Sequence, residues 1–205
     1  TVLKARPVQA GSEAPYAPAP IAEVVATIRR ERPNVVFAPH VETAAGIILP
    51  DDYLRAVADA AHEVGALFVL DCIASGTIWV DMEATGVDVL ISAPQKGWSS
   101  SPCCAMVMLS ARARTAAYEK GGHAYHATMP TDALARMRDT MKETAAWGFD
   151  RAKAAQQELG QKVRALLAQH GFRSVAAKGF EAPGVVVSYT DDPDIQSSAK
   201  FRAEG

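Results

Sequence analysis

Three features of the sequence predict an α/β fold built on a mostly parallel sheet. The runs LFVLD (67–71) and DVLIS (88–92) are almost unbroken in apolar residues, as strands covered on both faces are. A third such run, NVVFAP (34–39), precedes them. Between it and LFVLD, Asp51 to Gly65 has an acidic start, apolar residues at Leu54, Val57, Ala61 and Val64, and a glycine stop, the pattern of an amphipathic helix. Strand, helix, strand in that order is a βαβ unit with parallel strands and a right-handed crossover.

The remaining elements follow in chain order. Thr1 to Pro20 reads as a short strand and then a Gly-, Pro- and Ala-rich connection. Ile21 to Arg32 places Ile21, Val24, Val25 and Ile28 on one helical face, and Pro33 stops that helix. Asn34 to Pro39 is expected to be a buried strand, followed by the polar-edged loop HVETAAGIILP. A short amphipathic piece separates Asp71 from the next strand, which leads into Ser92, Ala93, Pro94, Gln95 and Lys96. GWSSSPCCAMVMLS is then a polar turn and another apolar strand. Thr131 to Trp147 and Phe149 to His170 read as helices interrupted near Gly148, with Met137, Met141, Leu159, Val163, Leu166 and Leu167 expected to face a core. Gly184 to Thr190 is a further strand, and Ser197 to Gly205 the start of a helix.

Composition narrows the function. The chain has 205 residues, 49% of them hydrophobic, and a formal net charge of −2, ordinary for a soluble globular protein. Long basic runs are absent, and Arg29, Arg30 and Arg32 cluster where cations suit a helix end, so no nucleic-acid partner is expected. No apolar stretch reaches the roughly 18 residues that span a bilayer, so no membrane partner is expected either. Cys72, Cys103 and Cys104 make no secreted disulfide framework and lack zinc spacing, which points to reduced thiols in the cytoplasm and to no metal. The chain begins at Thr1 without an initiator methionine or a signal peptide.

The chemistry lies between Leu67 and Lys96. Ligands of open α/β sheets bind beyond the carboxyl ends of the strands, so Asp71, ending one strand, and Lys96, just past the next, face the same crevice. Alone, an acid there is commonly a cap and a lysine a solvated side chain. Together they suit pyridoxal 5'-phosphate (PLP), because a lysine forms a Schiff base with an aldehyde and an acid keeps a pyridine nitrogen protonated.

DCIASG followed by SAPQKGW resembles the class V aminotransferases, especially the alanine-glyoxylate and serine-glyoxylate group, and the likeness runs from about Pro33 to Gly171. The resemblance implies a fold type I PLP-dependent transferase, with Lys96 the Schiff-base lysine and Asp71 the partner of the pyridine nitrogen. It implies that Ile73 packs on a ring face, that Gln95 contacts the phosphate, and that Thr43 lies near the ring oxygen. Glu42 and His40 are weaker candidates, and Ala44 and Ala45 stand where the family often has Ser-Thr. HAYHATMPTDAL resembles the family's Tyr-His-x-Thr-x-Pro segment, which makes Tyr125 and Thr128 phosphate contacts to the neighbouring subunit of a homodimer. Between Ser110 and that segment the chain is shorter than the family's.

The same likeness implies a division at Trp147. Residues 1–147 are the C-terminal part of the PLP-binding large domain, and 148–205 a linking helix and the beginning of a smaller α+β domain. It further implies a preceding portion with a phosphate loop and a stacking aromatic, and a substrate-carboxylate arginine after Gly205. The expected activity is transfer of an amino group between a small amino acid, such as alanine or serine, and a 2-oxo acid, such as glyoxylate or pyruvate. A cysteine desulfurase or related lyase on the same fold is the first alternative. Those enzymes usually have histidine before the lysine and a later nucleophilic cysteine, whereas Gln95 stands there and no cysteine follows Cys104. A non-catalytic nucleotide-binding module is the second, and no G-x-G-x-x-G or G-x-x-x-x-G-K-[ST] supports it.

Overall fold

Pro20 cannot continue a strand ladder, and the apolar stripe behind it turns helical at once. The structure, a computed structural model, describes residues 1–118 and 131–204. Its first elements are a two-residue antiparallel ribbon, β1 (Arg6–Pro7) and β2 (Tyr16–Ala17), and then helix α1 (Ile21–Glu31). α1 ends where Arg32 adopts a left-handed conformation, φ 45°, and returns its N–H to the Ile28 carbonyl. Next come β3 (Val35–Pro39), the hairpin β4 (Val41–Glu42) and β5 (Ile47–Ile48), helix α2 (Asp51–Glu63) and β6 (Leu67–Asp71). A one-turn helix α3 (Met82–Thr85), capped by the Asp81 carboxylate on the N–H groups of Glu83 and Ala84, leads into β7 (Val89–Ser92). β8 (Met106–Leu109) and the helices α4 (Ala111–Tyr118), α5 (Thr131–Trp147), α6 (Phe149–Gln169), α7 (Pro193–Gln196) and α8 (Ala199–Ala203) complete the described elements.

The principal sheet has the order β3-β6-β7-β8. β3, β6 and β7 are parallel, joined by α2 and then by α3, and β8 is antiparallel to β7. Period-two alternation sends Val36, Ala38, Phe68, Leu70, Leu90 and Met108 to one face, where α1 and α2 cover them with Ile28, Leu54, Val57 and Ala61. Fully burying side chains such as Phe68, Leu70 and Leu54 stabilises the fold by about 1.5–3 kcal/mol each. Asp88 is buried in this core, and its carboxylate is fully engaged. It accepts from the Phe68 N–H at 2.9 Å, from His62 Nε2 at 2.8 Å and from the Ser110 hydroxyl at 3.1 Å, tying α2, β6 and the end of β8 together.

Four expectations need correction. β3 is not buried on both faces: it is an edge strand among the described residues, and Val35 and Phe37 are 52% and 59% exposed. Residues 184–190 form no strand, because among the described residues their backbone pairs only with the short stretch 173–175, through the Ser174–Ser188 bridge and the backbone bonds Val175 N–H to Val187 O and Tyr189 N–H to Arg173 O. The terminal helix is two short pieces, α7 and α8, separated by Ser198 at φ 62°. On α6 the apolar residues Leu159, Val163 and Leu166 are exposed.

The face that α6 does pack is a stripe at four-residue spacing: Ala152, Gln156, Gly160 and Arg164. A Cβ on Gly160 would lie 2.4 Å from the Pro183 carbonyl oxygen, so only glycine allows that approach. Arg164 donates to the carbonyls of Ala182 and Val185 and to the Ser174 hydroxyl. Hydrogen-bonding reach and small size, rather than hydrophobicity, orient this helix.

Candidate functional site

Asp71 is held from both sides. In the ladder it stands opposite Pro39 of β3 and Ile91 of β7, its carbonyl accepts the His40 N–H at 2.8 Å, and the next N–H, of Cys72, reaches the Ile91 carbonyl at 2.8 Å. Alternation puts its side chain on the face opposite Phe68 and Leu70. One carboxylate oxygen, Oδ1, accepts the Ile73 N–H at 2.9 Å, fixing the side-chain angle in an Asx turn. Among the described residues the other oxygen has no partner, so it can accept from a ligand nitrogen.

Lys96 lies four residues beyond the end of β7, in a tight turn. Its N–H donates to the Ala93 carbonyl, the Ser99 N–H donates to its carbonyl at 3.0 Å, and the Ser100 N–H returns to Pro94. Ser99 holds φ 52°, a left-handed conformation that a residue with a Cβ adopts at some cost. Gln95 and Lys96 are both exposed. The turn is pressed against the loop after Asp71: a Cβ on Gly97 would sit 2.0 Å from the Gly76 carbonyl oxygen. Trp98 packs with Trp79 of that loop, centroids 4.7 Å apart, and with Phe149 at the start of α6, 6.2 Å apart. Trp98 is therefore a packing residue that locks the lysine turn to its neighbours.

α6 joins the same assembly. Gln156 Oε1 accepts both the N–H and the hydroxyl of Thr77, each at 2.7 Å, and the Thr77 hydroxyl also approaches the Ala152 carbonyl. Behind Asp71, His40 Nδ1 and Ser75 Oγ share a hydrogen bond of 2.7 Å, with the two residues 1% and 3% exposed. Burial lowers the His40 pKa to about 4, so the ring is neutral at ordinary pH. Burial likewise pushes the Cys72 thiol up to about 12, which leaves it an inert part of the core.

Thr43 is exposed on the β4–β5 turn that follows the carboxyl end of β3. Glu42 is occupied structurally, its two oxygens accepting the N–H groups of Ala44 and Ala45. Asp71 at the end of β6 and the loop residues Ile73, Gln95, Lys96 and Thr43 thus all lie at one end of the parallel strands. Tyr125 and Thr128 lie outside the described residues. Two grooves occur elsewhere: one of about 630 Å³ runs along the open edge of β3, and one of about 610 Å³ lies between α6, His40 and Glu181. Neither is lined by Asp71 or Lys96, and their size does not make them the site. The residues that reading the sequence overlooked are the supports: Gly76, Gly97, Ser75 and Gln156. Only the glycines carried a signal, each standing in a turn beside the acid or the lysine.

Comparison with known proteins bears on the family and the fold. The family model described as aminotransferase class-V matches residues 17–188. The alanine–glyoxylate aminotransferase of Oryctolagus cuniculus is 26% identical over 62% of this chain and 30% of its own length. The L-aspartate–glyoxylate aminotransferase of Paracoccus denitrificans is 25% identical over 76% of this chain and 43% of its own length. Among solved structures, an alanine–glyoxylate aminotransferase from Nostoc sp. superposes with a TM-score of 0.76 at 22% identity, covering 89% of this chain and 53% of that one. The chain therefore spans less than half the length of these curated relatives and about half of the solved one. The family match, which covers most of the sequence, places the chain in the class V aminotransferase family, with its fold type I architecture.

Proposed function

We propose that this protein moves an amino group between a small amino acid, such as alanine or serine, and a 2-oxo acid such as glyoxylate or pyruvate, with PLP held on Lys96. The observation that carries the reading is the placement of Asp71 and Lys96 on adjoining loops that Gly76 and Gly97 bring into backbone contact. The residues fit the cofactor: one oxygen of Asp71 is fixed by Ile73 and the other is open to a ring nitrogen, while Lys96 is exposed and in no described ion pair. PLP, when bound, supplies an electron-accepting pyridine ring. Asp71 would keep a proton on the ring nitrogen, Ile73 would cover a ring face, Thr43 would reach the ring oxygen, and Gln95 would hold the phosphate. Lys96 would carry the cofactor and, once a substrate amine takes its place, would move the proton at the substrate Cα.

In the same reading the working unit is a homodimer in which Tyr125 and Thr128 contact the phosphate of the partner subunit's cofactor. Residues 1–147 belong to the large domain, and 148–205 open the smaller one. Three free thiols suit a reducing compartment such as the cytoplasm. No helix among the described residues is long and apolar enough to cross a membrane. The deciding experiment is visible absorption of the full-length protein with PLP. A cofactor band should appear, shift on adding L-alanine or L-serine, and be trapped on Lys96 by borohydride. If Lys96→Ala still yields a borohydride-trapped cofactor on the protein, another lysine is the anchor.

A further inference from the structure

Three sulfur atoms converge on the segment that leads out of the lysine turn. Cys103 and Cys104 follow Pro102 between that turn and β8, and Met137 stands on the second turn of α5. The two thiol sulfurs are 3.9 Å apart, and Met137 Sδ lies 4.0 Å from Cys103 Sγ and 3.8 Å from Cys104 Sγ. The three form a nearly equilateral triangle. The centre of such a triangle lies one side divided by √3 from each corner, so a point about 2.3 Å from all three sulfurs exists, equal to a metal–thiolate bond length.

We propose that Cys103, Cys104 and Met137 form a three-coordinate site for a soft monovalent cation of the Cu(I) or Ag(I) type. Donor chemistry selects the ion. Two thiols and a thioether, with no nitrogen or oxygen donor among them, are soft ligands that favour Cu(I) over harder cations. Among the described residues no group of three His, Cys, Asp or Glu makes a metal centre. Access also fits: the cysteines are partly exposed, whereas Met137 is 9% exposed and closes the inner side. Binding would form three metal–sulfur bonds and release the two thiol protons, without any change in oxidation state, leaving a net charge of −1 on the cluster. The bound ion would tie the exit of the Lys96 turn to α5.

The test uses reduced, full-length, PLP-loaded protein under anaerobic conditions, with Cu(I) supplied as its acetonitrile complex and bicinchoninate as competitor. One Cu(I) per chain should be retained, with an ultraviolet thiolate-to-copper band. Met137→Leu, which conserves volume, should weaken retention at least 10-fold, and Cys103→Ser/Cys104→Ser should abolish it. Stoichiometric Ag(I) should protect both cysteines of the wild type from iodoacetamide, read by peptide mass. The Met137→Leu and Ag(I) readouts stand even if the double variant fails to fold. If Met137→Leu retains Cu(I) as well as wild type, or if the competitor strips both equally, the sulfurs are merely packed and no site exists; if one ion bridges two chains, the three-coordinate site within one chain is overturned.

Discussion

Asp71 and His40 illustrate how one residue's chemistry depends on what its backbone neighbours already hold. Asn at position 71 would still accept the Ile73 N–H through its side-chain oxygen, so the turn should survive and folding stability should change by no more than about 1 kcal/mol. The negative charge that would keep the ring nitrogen protonated would be gone. Transamination by Asp71→Asn should therefore fall by about 10²-fold or more, and a rate near wild type in a steady-state assay would remove the electron-sink role. His40 makes a different, pH-dependent prediction. Its folded pKa of about 4 lies below the usual 6.5, so between these values the unfolded chain binds more protons than the native one. Stability should thus be lost as pH falls from about 6.5 to 4, by up to about 3 kcal/mol from this group. In His40→Asn, urea unfolding at pH 7 and pH 4.5 should show a smaller difference than in wild type, and an equal difference would assign the acid sensitivity elsewhere.

Loops and helices are held together by contacts that no apolar pattern displays, and the best probe is Gly97. A methyl group there would collide with the Gly76 carbonyl oxygen, which is backbone and cannot swing aside. Gly97→Ala should force the acid and lysine loops apart, destabilise the protein by about 1–3 kcal/mol, and raise the PLP dissociation constant measured by absorbance titration. Unchanged PLP affinity would mean that the loops need not touch. The parallel strands β3, β6 and β7, helices α1, α2, α5 and α6 and the break at Gly148 were legible because period and length speak directly to them. The placement of Asp71 and Lys96 at one end of the parallel strands was legible because strand ends locate ligands in this fold class. α6 was misjudged where its hydrophobic residues pointed one way and its partners another: Gln156 binds Thr77, Arg164 binds backbone carbonyls, and Leu159 stays in solvent. The stretch 184–190 reads as a strand by β-branched composition, yet a strand exists only as a ladder, and its described neighbours supply one bridge.

At the scale of the molecule, a cofactor phosphate needs more donors than one loop residue supplies. Gln95 is the proposed contact within this span, while a phosphate carries up to two negative charges and several acceptor oxygens. Tyr125 and Thr128 of a partner subunit would add charge-assisted hydrogen bonds, each contributing about 1.5–3 kcal/mol. Cofactor binding and dimerisation would then be coupled, because a ligand that binds only the assembled form stabilises it. Mixing two inactive full-length variants, Lys96→Ala and Tyr125→Phe/Thr128→Val, separates contacts made across the dimer from contacts made within one chain. Across the dimer, each mixed pair holds one site with both defects and one with neither, so activity should return to as much as half of wild type per mixed dimer. Within one chain, both sites stay defective however the subunits exchange. Native mass spectrometry showing mixed dimers, with no recovery of transamination, would therefore confine the phosphate contacts to a single subunit.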